Sequence, residues 1–466
     1  MEKKNAWLSY DEATAAKVEA FAKEYCAYID GGKTERECVT LSVAASEKKG
    51  FKDLMKVVAE GGKLTAGDRV YVNWMNKCYL AFIVGSKPLC EGMNIVGAHI
   101  DSPRIDIKQN PIFEDGELAY LDTHYYGGIK KYQWLALPLA LHGVVAKKDG
   151  TIVTIAVGED EADPVFYISD LLPHLGADQM SKTASKLIEG EALDLIVGSK
   201  PVKGEDEKAS VAEGVKAILL EKYGIEEEDF ESAELEIVPA GKARDIGFDR
   251  ALIAAYGHDD RVCAYPSMMA LLNYEGTPEY TACAVLCDKE EIGSVGATGM
   301  NGRFFENIVA ELYNCCGGYS ELNLRRALAN SRMLSSDVSA AFDPNFAGAF
   351  EKKNTAFVGH GVCFSKFTGR GGKGGSNDAN AEFIGGLRKV MADNGVNYQF
   401  CELGRVDQGG GGTIAYICAN YGMSVIDAGV PVLSMHAPWE AISKADLYEA
   451  YKCYCAFVKE AKPVKY

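Results

Sequence analysis

Short apolar runs that close on a histidine or a carboxylate, separated by stretches of helical periodicity, place this chain in the α/β class. Met93 to His99 reads as a buried strand that delivers His99 to its C-terminal end, where open α/β sheets carry their chemistry. Cys283 to Cys287 reads as a second buried strand, and further strands end near Asp337 and Gly404. A helix runs through Met268 to Leu272, and a last one comes after Ser443.

Between the first strand and the rest, the rhythm changes. Residues 107–248 hold alternating segments such as Leu139 to Val145 and Thr151 to Val157, a helix around Val211 to Tyr223, and an acidic run from Glu226 to Asp229. This predicts a β-rich domain, 107–248, inserted into a discontinuous α/β domain made of 1–106 and 249–466. The acidic run is expected to be a solvated loop.

At the N-terminus, Ser9 and Glu12 read as a capping box ahead of Val18, Phe21, Ala22, Tyr25, Cys26 and Ile29 at helical spacing, with Gly31-Gly32 as the stop. Thr34 and Glu37 repeat the signature before a helix running toward Lys49. Arg69 to Val84 reads as two strands turning near Asn76-Lys77.

A formal net charge of −17 argues against nucleic-acid and membrane-surface partners, because both need basic side chains to replace counterions. No apolar run reaches the ~20 residues of a membrane span, and MEKKNAWLSYDEA has no apolar stretch of signal-peptide length. A cytoplasmic protein is expected. Cys26, Cys38, Cys283 and Cys418 sit in apolar runs, as free thiols do, and neither Cys315-Cys316 nor Cys453-x-Cys455 has zinc-knuckle spacing.

The residues that carry chemistry are scattered along the chain. They are His99 in GAHIDSPR, Asp259 in GHDDR, Glu290 and Glu291 in CDKEEIGS, Asp337 in SSDVSAAFDP and His436 in SMHAPWE. Two imidazoles and three carboxylates make up the ligand set of a site for two divalent ions, with one glutamate left over as a base. Two ions roughly 3.5–4 Å apart lower the pKa of a bound water and polarise a scissile carbonyl, and a shared carboxylate holds them together. Asp259 is the candidate bridge. On the acidic turn, Glu291 is expected to bind metal and Glu290 to move the proton from the water to the leaving amine. Asp101, two residues after His99, is placed to accept the other imidazole N–H and fix the tautomer. Zinc, cobalt and manganese all accept such nitrogen and oxygen donors, zinc being the expected ion.

Taken in order, GAHIDSPR, GHDDRVCAY, DKEEIGSVGATG, SSDVSAAFDP, GRGGKGGSNDANAE and MHAPWE resemble the bacterial branch of the aspartyl aminopeptidase family of two-zinc metallopeptidases, over nearly the whole chain. The resemblance implies that His99 and Asp337 hold one ion, Glu291 and His436 the other, Asp259 bridges them, and Glu290 is the base. It implies a mixed-sheet zinc-peptidase catalytic domain interrupted by a β-rich dimerisation domain, dimers that assemble into a dodecameric shell, and peptide substrates. It further implies a cis peptide at Asp259–Asp260.

Selectivity for N-terminal Asp or Glu requires a cation in the pocket of an acidic protein, and Lys366 resembles the family's side-chain-binding lysine, with Arg370 and Lys373 nearby. His174, in LLPHLGADQ, resembles a region by which the family reaches a neighbouring subunit's active site, although Asp178 stands where the family has a second histidine. His124 and His360 are expected to pack. Gly369 to Gly375 and Gly409 to Gly412 lack the spacing of phosphate-binding loops and read as backbone walls or lids around a peptide. Three alternatives stay open: a neutral, leucine-type preference within the same family, a related two-metal hydrolase or deacylase, and a shell-forming protein without catalysis.

Overall fold

In the computed structural model, which describes residues 4–203 and 209–464, the α/β rhythm builds a nine-stranded mixed sheet. Its strand order is Lys52–Asp53, Arg69–Trp74, Cys78–Ile83, Thr281–Cys287, Met93–His99, Arg332–Ser335, Ser424–Gly429, Val362–Ser365 and Tyr398–Cys401. Thr281–Cys287, Met93–His99, Arg332–Ser335 and Ser424–Gly429 run parallel to one another, and Cys287 pairs with His99. All four strand ends on that side therefore point the same way, which is the arrangement that gathers side chains for chemistry.

These central strands are readable as apolar runs because both faces are covered. On one face Val96, Ala98, Leu286 and Leu334 pack with helices Glu12–Gly31, His258–Leu272 and Lys444–Glu460. On the other, Ile95, Val285 and Met333 pack with Phe304, Phe305 and Ile308 of helix Phe304–Cys316. Asn94, buried in the same strand, donates to the carbonyl oxygens of Val458 and Ala461 at the end of the last helix, 3.2 and 3.1 Å away.

The chain divides into two units: Met1–Asp101, Ala243–Met435 and Glu440–Tyr466 form one, Ser102–Lys242 and His436–Trp439 the other. The crossings fall a few residues before 106/107 and 248/249 for a structural reason. Arg104–Asp115 is already a strand of the second unit, whereas Arg244–Ile246 pairs with Leu252–Ala255 in the first. His436, which the sequence assigns to the C-terminal part of the discontinuous domain, lies on the short segment grouped with the second unit.

The second unit is a six-stranded antiparallel sheet ordered Ile152–Val157, Leu139–Ala146, Ala233–Pro239, Arg104–Asp115, Leu118–Tyr126 and Leu195–Gly198, with helix Val211–Tyr223. The acidic run corrects its expectation in part. Glu226 to Glu228 are exposed, but Asp229 is buried in a 3-10 turn, accepting the Glu226 N–H at 2.9 Å beside Lys147.

Helix Glu35–Lys48 starts with the Thr34/Glu37 capping box. Helix Glu12–Gly31 does not use Ser9: Asp11 is its cap, accepting from the Thr14 N–H at 2.8 Å, while the Ser9 hydroxyl donates to the Ala6 carbonyl and closes a separate turn. All fourteen cysteines are unbridged thiols. Among the described residues no helix is long and apolar enough to cross a membrane.

Candidate metal centre

Three neighbouring strand ends and one helix start supply the candidate residues of the first unit. His99 closes its strand, the Glu290–Ile292 turn comes after Thr281–Cys287 once Lys289 has taken a left-handed φ of 65°, and Asp337 lies just beyond Arg332–Ser335. Asp259 and Asp260 stand at the start of helix His258–Leu272, where their backbone is still non-helical and the peptide joining them is cis.

His99 is the hub. Its Nδ1 lies 3.0 Å from the Asp101 carbonyl oxygen and 3.3 Å from Asp101 Oδ1. A carbonyl can only accept, so Nδ1 carries a proton, and in the neutral ring that binds a metal Nε2 presents its lone pair to the cluster. Nε2 sits 3.2 Å from Asp259 Oδ1 and 3.9 Å from Glu290 Oε2. The Asp101 carboxylate does more than the sequence assigns it: Oδ1 accepts the Glu290 N–H and Oδ2 the Glu291 N–H, both at 3.1 Å.

Ligand atoms of His99, Asp259 and Glu291 lie within 4.8 Å of one another, as do those of His99, Asp260 and Asp337. Asp260 is thus a member that sequence reasoning passed over, although it is the second acid of GHDDR. It also accepts the backbone N–H of His99 at 3.3 Å. A second omission is Glu440 of MHAPWE, buried, whose Oε2 accepts the Asp259 N–H at 2.9 Å and holds the start of the helix.

The electrostatics are those of acids crowded out of water. Burial pushes the Asp260 and Asp337 carboxyls well above the usual range, and neighbouring carboxylates add to it: Glu290 and Asp260 around Asp337, Asp259 around Asp260. Burial works against the charged form of His99, but hydrogen bonds to Asp101 and Asp259 prevail and raise it. One imidazole and several carboxylates that repel one another are a donor set suited to divalent zinc, which takes nitrogen and oxygen ligands. The neighbouring His258 is engaged elsewhere: its Nε2 donates to the Ile253 carbonyl, Tyr25 donates to its Nδ1 at 2.7 Å, and burial pushes its pKa down to about 3.

His436, the second predicted imidazole ligand, has a left-handed φ of 65° and its Nδ1 is 2.9 Å from the Gly128 carbonyl oxygen, within the second unit. Lys366 is ion-paired with Asp378, which also binds Lys373 at 3.0 Å. His174 is exposed in the second unit, as is Asp178. His360 packs against Phe357, whereas His124 is exposed at the sheet surface beside Tyr125, because its position on the strand faces outward. The two glycine-rich segments touch: the Gly411 N–H donates to Thr368 at 2.9 Å, and a Cβ at Gly410 would come within 2.7 Å of the Arg370 Cα.

An imidazole and carboxylates gathered at parallel strand ends of a mixed α/β sheet define a metal-dependent hydrolase. The chain belongs to the M18 family of aminopeptidase I zinc metalloproteases, whose family model matches residues 28–458. It is therefore an aminopeptidase of the metallopeptidase class. A probable M18 family aminopeptidase 1 of Clostridium acetobutylicum is 56% identical over 457 residues, 98% of each chain. The crystal structure of an M18 aminopeptidase from Thermotoga maritima is similar with a TM-score of 0.93 at 44% identity, covering 99% of this chain and 100% of that one. A yeast mApe1 dodecamer shares the fold at 22% identity and a TM-score of 0.74, over 94% of this chain and 96% of that one.

Proposed function

We propose that this aminopeptidase works with two divalent ions held by His99, Asp259, Glu291, Asp337 and His436, with Asp259 as the shared ligand and Glu290 as general base. The observation that carries this reading is the pair of three-residue groups, each containing His99, built from carboxylates far apart in the chain. When bound, zinc ions supply Lewis-acid polarisation of the scissile carbonyl and lower the pKa of a water; cobalt or manganese could serve the same donors. Asp260 joins the set as a further carboxylate on the Asp337 side.

Glu290 belongs to neither group, which supports a proton-carrying role: its carboxylate takes a proton from the attacking water and delivers it to the leaving amine. Asp101 keeps His99 in the tautomer with Nε2 facing the ligands and holds the Glu290–Glu291 backbone. One residue thereby orients an imidazole through its carbonyl and the turn that carries two carboxylates through its side chain.

The substrate reading is a peptide with an N-terminal Asp or Glu, its side chain bound by Lys366. The pairing of Lys366 with Asp378 also supports a second reading, a neutral leucine-type preference, since the lysine's charge is already balanced. Release rates for N-terminal Asp, Glu, Leu and Lys substrates, with metals added back to stripped protein, test this: faster release of Asp and Glu is expected, and equal rates on Leu and Asp remove the acidic preference. N-acyl amino acids serve as the control for a deacylase.

The assembly reading is a dimer through the β-rich unit, built into a dodecamer like that of the yeast relative, in the cytoplasm. The exposed apolar side chains Leu171, Leu172 and Leu175 around His174 support a contact with another subunit there. Mass photometry tests it, a monomer being the contrary result.

A further inference from the structure

A carboxylate stands in the interior of the large sheet where its strand otherwise buries apolar side chains. Asp427, on Ser424–Gly429, is 3% exposed and pairs directly with Ser335 on one side and Ser365 on the other. Directly paired residues share a face of a sheet. The row continues to Gly97 beyond Ser335 and to Cys401 beyond Ser365, so a band of small and polar residues crosses five strands on one face. Two residues earlier on the same face, Met333 and Val425 are ordinary core.

Among the described residues, neither oxygen of Asp427 has a hydrogen-bond partner, and the fully buried Ser335 hydroxyl has none. Burial pushes the Asp427 carboxyl up to about 6, against the lowering effect of the nearby Thr413 and Ser335 hydroxyls. Among the described residues, the groups acting on it are hydroxyls and backbone, with no basic side chain among them. An ionised carboxylate in this position is among the costliest arrangements in a protein interior unless a positive charge accompanies it.

We infer that Asp427, with the hydroxyls of Ser335 and Thr413, forms a site for a monovalent alkali cation, K+ or Na+. Carboxylate and hydroxyl oxygens are hard donors. A single negative charge balances a monovalent ion and would leave a divalent one with excess positive charge in a buried space. The position gives the site a consequence for the fold. Thr413 closes the glycine-rich segment Gly409 to Gly412, which is in turn bonded to Thr368. A cation here ties the sheet to both glycine-rich segments.

The test uses the zinc-loaded full chain in KCl, NaCl and tetramethylammonium chloride at equal ionic strength. K+ or Na+ is expected to raise Tm by roughly 2 °C or more over tetramethylammonium, since an ion that binds only the folded state stabilises it. The isosteric Asp427→Asn variant is expected to lose that difference. Equal Tm values in all three salts, or a difference that survives in Asp427→Asn, overturn the proposal. Should Asp427→Asn fail to fold, wild-type crystals soaked in thallium(I) replace it: an anomalous peak against Asp427 supports the site, and its absence overturns it.

Discussion

The carboxylate of Asp101 accepts the backbone N–H of Glu290 at 3.1 Å, while the carbonyl of the same residue accepts from His99 Nδ1 at 3.0 Å. One aspartate therefore couples the strand end that carries the imidazole to the turn that carries both glutamates.

That coupling makes Asp101 a sensitive position. Asp101→Asn replaces one acceptor by an amide that faces an N–H donor, loosening the Glu290–Glu291 turn. Zinc affinity, measured by competition with a chromogenic chelator, is expected to fall about 10–100-fold, with activity at limiting zinc falling alongside. Unchanged affinity would show that the turn holds itself.

Glu290→Gln separates binding from proton transfer. The variant is expected to keep its metal content while kcat falls by roughly 10²–10⁴-fold. Loss of metal together with activity would move Glu290 into the ligand set.

Much of this centre was legible because its pieces sit at the ends of runs buried on both faces. Met93 to His99 and Cys283 to Cys287 read as apolar strands, so the polar residues at their C-terminal ends stand out as candidates for chemistry. Asp260 was not legible, since nothing in the order of GHDDR tells that both acids turn toward His99; the non-helical backbone at the helix start allows it. Glu440 was missed because its role is to hold a backbone N–H from a residue far away in the chain. Ser9 misled for a local reason: its hydroxyl is spent on the Ala6 carbonyl, and Asp11 caps instead. Asp427 lies on Ser424–Gly429, a strand the sequence analysis did not single out, and its isolation exists only in the register with Ser335 and Ser365.

Asn94 is a stability position remote from the chemistry. Its amide donates to the Val458 and Ala461 carbonyls, and its oxygen accepts from the Arg332 Nε at 2.8 Å. Asn94→Leu leaves these buried groups unpaired and is expected to cost about 2–4 kcal/mol in urea unfolding. Activity per folded molecule should be retained.

Stability is also expected to depend on pH through Asp446. Burial raises this carboxyl from 3.8 to about 8, against the lowering effect of the N–H groups of Gly359 and Gly361 that it accepts at 2.7 and 2.6 Å. The folded chain then holds the proton more tightly than the unfolded one. The contribution is full below about pH 4 and is lost as pH rises through about 8. Tm should decline from pH 5 to pH 9, and Asp446→Asn should flatten that slope; an unchanged slope in the variant would assign the decline to other groups.

The proposed mechanism requires two ions acting together beside His99. Stripped protein titrated with zinc, with metal counted by mass spectrometry and aminoacyl release monitored at each step, measures it most directly. Two ions per chain are expected, with activity appearing as the second binds. Full activity with one ion, or with none, would contradict it.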